Sequence, residues 1–264
     1  MCGRFTMYAD DKELVRLFDI DVVEGEHHES YNEAPSQLIR SVRTKSDGER
    51  ELDLMSWGLV PFWAKDSFKP LINARAETVT EKPAFRTATS KRRCLIPTNG
   101  YYEWQTGPDG KKQPYFLSLA NAEGEPAPPG AEPTMAMAGI FDWPKRDEPD
   151  GEEQFAIQAT LLDEIPDALE APERRAATTA VITRAATDTL GHIHQRMPLF
   201  IPRSEWETWL NPDLRDAPDL REFIDALPTP PIAPRPVSPA VGNVRNNNPS
   251  LILPVEPPFE PEAA

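Results

Sequence analysis

The tightest constraint on the fold is a succession of short apolar runs, each cut off by a turn signal before it reaches helical length. RRCLIP (92–97) reads as a buried strand. YYEWQ (101–105) reads as a second one after the Asn99-Gly100 turn signal. GPDGKK then turns the chain into QPYFLSLA (113–120), which pairs with YYEWQ as a hairpin. Residues 36–43 and 51–60 also look like strands, broken at Pro61. MAMAGIFDW (135–143), FAIQATLL (155–162) and TTAVITRAA (178–186) look the same. Helical spacing is rarer. Residues 10–19 place Leu14, Leu17 and Phe18 on one face. Residues 81–89 form a helix carrying Phe85 and Arg86, SEWETWL a helix capped by Ser204, and Pro218 to Ala226 a third. Tyr31 to Pro35 reads as irregular. From Pro228 the chain is Pro-rich with three consecutive asparagines, an extended arm over the core or a partly disordered one. With many short strands, few helices, no repeat and no linker, the expected class is α+β, a single compact domain.

With 264 residues, 39% of them hydrophobic, the chain can bury a sizeable core. No run of eighteen apolar residues exists, so no membrane partner is expected. MCGRFTMYADD turns acidic at once and lacks the apolar stretch of a secretory signal. Cys2 and Cys94 make neither a disulfide framework nor a zinc set, which fits a reducing cytoplasm. The net charge of −15 speaks against a nucleic-acid partner at first sight, but the acid is segregated. Residues 82–112 carry a balance of +5, from Lys82, Arg86, Lys91, Arg92, Arg93, Lys111 and Lys112 against Glu103 and Asp109. Residues 145–173 carry −8, which leaves room for a basic face.

Several residues carry candidate chemistry. If Met1 is removed, Cys2 becomes a 1,2-aminothiol, with an amine of pKa roughly 7.7–8.0 and a thiol near 8.5. The amine of such a residue condenses with an aldehyde to an imine, and the thiol closes on it to a five-membered thiazolidine. NARAET puts Asn73 and Arg75 two apart, so an extended strand points both to one face. Arg75 can fork onto phosphate or carboxylate. Glu103 lies among aromatics, where a raised pKa suits acid or base work. HIHQRMP supplies His192, His194 and Arg196, which share a face if the segment is a strand. Two histidines without a third well-spaced ligand argue against metal. Trp57, Phe62, Trp63, Tyr101, Tyr102 and Trp104 accompany these polar segments. Exposed aromatics with basic groups hold single strands without reading sequence, though half or more of these belong to the core.

Taken together, MCGRF, YNEAP, WGLVPFWAK, PLINARAET, RRCLIPTNGYYEW, QPYF, AGIFDW, ITRAA, HIHQRMP and PVSPAVGNVRNNNPSLILP resemble the SRAP (SOS response-associated peptidase) family over nearly the whole chain. The resemblance implies a compact mixed domain over residues 1–256 with a β-barrel-like core, peripheral short helices and a positive channel for single-stranded DNA. It implies inserted loops near 121–133 and 145–153 and a disordered tail at 257–264. It implies loss of Met1 and a thiazolidine link between Cys2 and the opened sugar of an abasic site, as part of the DNA-damage (SOS) response. Cys2 would be the nucleophile. Asn73 would position the Cys2 amine or the adduct, Glu103 would act as acid/base or orient the amine, and His194 would help open the sugar. Arg4, Arg75 and Arg196 would contact phosphate. Pro35, Phe62, Trp63 and Thr183 would line the DNA path, with Phe62 standing where many relatives have tryptophan. The expected partner is abasic single-stranded DNA, met by a cytoplasmic monomer that gathers at the nucleoid on damage, without cofactor or metal. Two other readings use the same residues: a peptidase or amidohydrolase with Cys2 as nucleophile, and a non-covalent single-stranded DNA binder.

Overall fold

The computed structural model describes residues 2–26, 28–65, 67–144, 176–186 and 188–256. FAIQATLL, the acidic loop at 145–153 and the tail at 257–264 lie outside them.

Two sheets carry the chain. One orders five strands as β13 (Ile232–Pro236), β9 (Lys112–Leu119), β8 (Gly100–Thr106), β1 (Phe5–Met7) and β3 (Ser30–Glu33). The other runs β12 (Arg196–Pro198), β11 (Thr178–Ala185), β10 (Met135–Asp142), β7 (Arg93–Thr98), β4 (Leu38–Thr44), β5 (Arg50–Trp57) and β2 (Val22–Val23). Strand β11 also pairs in parallel with β5, which closes the sheet into a barrel-like ring. β6 (Asn73–Arg75) attaches to β11 from outside that circuit. Strands β7 and β10 are buried at every position, as expected of strands covered on both faces. The fold is α+β, mostly strands with a few short helices at the periphery.

The helices are α1 (Asp11–Phe18), α2 (Arg86–Lys91), α3 (Asp188–Gly191), α4 (Trp206–Leu210) and α5 (Ala217–Ala226). The Asp10 carboxylate caps α1 by accepting from the Glu13 N–H at 2.7 Å, and Leu14 and Phe18 point into the core. Expectation and structure part company at three places. The segment read as a helix over 81–89 starts five residues later, with Phe85 only at its edge. Ser204 caps nothing, because a 3₁₀ turn over Arg203–Glu205 precedes α4 and Glu205 occupies the cap position. Tyr31 lies in a strand, not in irregular chain. Of the two forms expected for the C-terminal arm, the extended one holds to residue 256: it pairs as β13 with β9 and then crosses back over β3.

The Asn99-Gly100 pair is not a hairpin turn. It is the crossing from the closed sheet (β7) to the open one (β8). Gly100 is required by close approach. A Cβ there would overlap the edge of the Phe116 ring and lie 2.8 Å from the Leu117 carbonyl oxygen. Gly100→Ala is therefore expected to destabilise the protein by about 1–3 kcal/mol, the usual cost of overpacking, read as a lowered urea midpoint at unchanged m.

Candidate active site

Strand β1 runs between β8 and β3, so the first residues of the chain enter the interior of a sheet. Cys2 has no exposed surface in the full-length chain and packs with Phe5 and Met7 in the main core. Burial is the largest cause that pushes its thiol well above the ordinary range. The charge of Glu103 adds to this, and the nearby amino terminus pulls the other way.

Asn73 reaches Cys2 from the other sheet. Its Nδ2 donates to the Cys2 carbonyl at 2.7 Å. Strand β6 explains the reach: Asn73, Ala74 and Arg75 pair with Val181, Ile182 and Thr183, Ala74 turns into the core, and its two neighbours turn outward together. The Asn73 Oδ1 is buried and finds no hydrogen-bond partner among the described residues.

Glu103 sits on β8 with 4% exposure. Burial raises its carboxyl to about 7, against a lowering pull from the amino terminus. His194 Nδ1 lies 3.9 Å from Glu103 Oε1. That same Nδ1 lies 2.9 Å from the Arg196 backbone nitrogen and 3.2 Å from the Arg196 carbonyl oxygen, so the Arg196 backbone holds the ring in place in either tautomer. Partial burial is the largest cause that holds the imidazole below its ordinary pKa, and the charge of the amino terminus acts in the same direction, while the hydrogen bond to the Arg196 backbone opposes them. His192 and His194 do not lie on a strand: β12 begins only at Arg196, and His192 is exposed in a turn. The three residues therefore share no strand face. Among the described residues no group of three His, Cys, Asp or Glu could hold a metal ion.

The residues expected to meet DNA are spread over several environments. Arg75 is exposed. Phe62 and Trp63 are 49% and 47% exposed, with Trp63 edge-on to Phe68 at 6.0 Å. Pro35 is half-buried in a turn that places Ser36 at φ 72°. Thr183 is buried and accepts from Arg196. A cleft of about 300 Å³ begins at Asn73, with Leu71, Ala84 and Phe85 among its apolar walls and Arg75, Lys82 and Arg196 among its polar ones.

Arg4 and Arg196 already hold partners. Arg4 donates to Asn32 Oδ1 at 2.7 Å and to the carbonyls of Val241 and Gly242, tying the first strand to the arm. Arg196 forks onto Glu77 at 2.5 and 2.9 Å. Glu77 is a residue the sequence reading does not single out, although NARAET sets it two positions beyond Arg75. The basic stretch over 82–112 is likewise less free than its sum suggests. Arg93 is buried and donates to four carbonyls, and Arg92 pairs with Asp142 at 3.1 Å. Of the six aromatics, Trp57, Tyr101 and Tyr102 are core.

Comparison with known proteins gives a consistent answer. The family described as SOS response associated peptidase (SRAP) matches residues 1–244. The abasic site processing protein YoqW of Bacillus subtilis is 32% identical, over 96% of this chain and 99% of its own. The abasic site processing protein YedK of Escherichia coli is 28% identical over 97% and 100%. The abasic site processing protein HMCES of Gallus gallus is 31% identical, over 88% of this chain and 68% of its own. A crystal structure of a protein from Bacteroides thetaiotaomicron superposes with a TM-score of 0.70 at 23% identity, covering 97% and 100%, which speaks to the fold. No helix among the described residues is long and apolar enough to cross a membrane.

Proposed function

The chain belongs to the SOS response associated peptidase (SRAP) family, and on that premise we propose that it processes abasic sites in single-stranded DNA by bonding covalently to them through Cys2. One observation carries the reading. Asn73 grips the Cys2 carbonyl at 2.7 Å beside the buried carboxyl of Glu103, at the end of a cleft with Arg75, Lys82 and Arg196 on its walls.

Loss of Met1 gives Cys2 a free amine next to its thiol. The ring-opened sugar of an abasic site presents an aldehyde at C1. The amine adds to that carbon, water leaves, and the imine carbon is attacked by sulfur; the thiol proton passes to nitrogen and a thiazolidine closes. Asn73 Oδ1, buried and open on its acceptor side, suits an N–H of the new amine. Glu103, raised to about 7, can take a proton from the ammonium. His194, held neutral by its surroundings, can take the proton of the sugar's C1 hydroxyl and return it to the ring oxygen as the ring C1–O bond breaks and the aldehyde forms. Arg75 and Lys82 suit the phosphates on either side, while Phe62 and Trp63 offer stacking surfaces. In the intact cell such an activity belongs to the DNA-damage response.

The test mixes the protein with a single-stranded oligonucleotide carrying one abasic site. The expected product is a band that survives denaturation, together with an intact mass for the mature chain that lacks Met1. Turnover of peptides with no such band would instead make the chain a cysteine-type peptidase.

The same chemistry fixes a pH dependence. Glu103 must lose its proton to act as base, so the crosslinking rate is expected to climb through pH 7. Glu103→Gln should lower the rate at pH 8 by about 100-fold and remove that limb, leaving only the ascent set by the amine near pH of about 8. Single-turnover rates across pH 5.5 to 9 measure both curves; identical profiles would remove Glu103 from the proton transfer.

A further inference from the structure

The face of β8 and β9 that carries Glu103 continues past it. Glu103 stands directly opposite Tyr115, and Gln105 directly opposite Gln113. Directly opposed residues of an antiparallel pair point to one side, and diagonal neighbours stay within reach when one is aromatic and the other long. Tyr115 and Gln105 form such a diagonal.

Both are more than nine-tenths buried, at 5% and 8% exposure. Both have a polar atom without a hydrogen-bond partner among the described residues: the Tyr115 hydroxyl and Gln105 Oε1. Gln113 differs. Its amide nitrogen donates to the carbonyls of Pro114 and Val237 at 2.7 and 2.9 Å, which locks the hairpin to the arm. A buried polar atom left unmade costs about 1–3 kcal/mol, so two of them on one face point to something that binds there. One atom is a hydroxyl, able to donate. The other is a carbonyl oxygen, able only to accept. An oxygen bearing one proton satisfies both at once.

We propose that Tyr115 and Gln105 form the oxygen-binding end of the Cys2 site and hold the oxygen that leaves C1 of the sugar during crosslinking; the inference rests on the abasic-site reading above. When the Cys2 amine adds to the aldehyde, the C1–N bond forms and the carbonyl π pair moves onto oxygen. That oxygen takes up the proton the nitrogen gives up, and the carbinolamine results. The Tyr115 hydroxyl donates to this oxygen and Gln105 Oε1 accepts from its O–H. The C1–O bond then breaks, the oxygen departs as water with a second proton from nitrogen, and the imine remains for the thiol. One water leaves per crosslink, and nothing is oxidised or reduced. Burial keeps the Tyr115 phenol above its ordinary pKa and therefore protonated throughout.

Tyr115→Phe and Gln105→Leu in the full chain test this. Tyr115→Phe keeps the ring and its packing, so it carries the test should Gln105→Leu fold poorly. Three quantities are measured: the first-order crosslinking rate, the borohydride-trapped imine fraction, and affinity for an oligonucleotide bearing a tetrahydrofuran, which has no aldehyde. Each variant is expected to crosslink about tenfold more slowly and to accumulate less trapped imine, while tetrahydrofuran affinity and melting temperature stay at wild-type values. Wild-type rates in Tyr115→Phe mean the two atoms hold a structural water only, and the proposal fails. A rate loss that tracks affinity or melting temperature also overturns it. If the wild type itself forms no adduct, the abasic-site reading fails first, an outcome distinct from either.

Discussion

If the proposed chemistry holds, replacing Cys2 with alanine is expected to remove the denaturation-resistant adduct with abasic single-stranded DNA entirely, while weak, salt-sensitive binding persists. The alanine variant still has an α-amine once Met1 is gone, so it can condense with the aldehyde. It cannot close the ring. Its product is an imine, which water reverses, so no shifted band survives denaturation although borohydride still traps one. Cys2→Ser behaves in the same way, since a hydroxyl is a far weaker nucleophile toward the imine carbon than a thiol. Binding is expected to survive because the cations along the cleft, Arg75, Lys82 and Arg196, are untouched. A gel with and without borohydride separates the steps. A stable band from the alanine variant would place the bond on another residue and sink the Cys2 assignment.

The second large effect concerns stability. Glu132 belongs to the loop over 121–133, yet its side chain is fully buried. Arg235 donates to it at 2.6 Å, the Gly130 N–H at 2.7 Å, and the Tyr8 hydroxyl closes the cluster. Arg235, 5% exposed, also donates to the Ile252 carbonyl at 3.0 Å and to that of Ala127. Glu132→Ala strands the guanidinium in the interior with no counter-charge. The expected loss is about 3–5 kcal/mol, or roughly a 10 °C fall in melting temperature for a chain of this size. Calorimetry with a urea titration reads it. A shift below about 1 kcal/mol would mean that water reaches Arg235 and that the cluster is superficial.

These partners show what the sequence could and could not disclose. The β8–β9 hairpin is legible because its turn residues and both apolar runs are contiguous. So is Asn73, whose outward direction follows from strand alternation alone. Arg196 is visible as a cation but not as the partner of Glu77, because that pairing spans 119 positions. Tyr31 and Asn32 look irregular for the same reason. The carbonyls that accept from Asn32 belong to Val241, Asn243 and Asn246, and they order β3 and the arm together. The arm's prolines and asparagines suggest looseness only while Arg4, Asn32 and Glu132 are out of view. His194 lies 3.9 Å from Glu103, a contact the sequence does not announce, and it is not the strand residue that HIHQRMP suggests. Its place is set by the turn after α3, which the run HIHQ does not advertise.

The position of β1 has a practical corollary. Flanked by β8 on one side and β3 on the other, the opening residues have no slack with which to swing aside. A purification handle fused ahead of Cys2 would extend from a residue with no exposed surface and, on the abasic-site proposal, would cap the nitrogen that is to react. Recombinant material for any assay of this chain is best made with the handle at the other end of the chain.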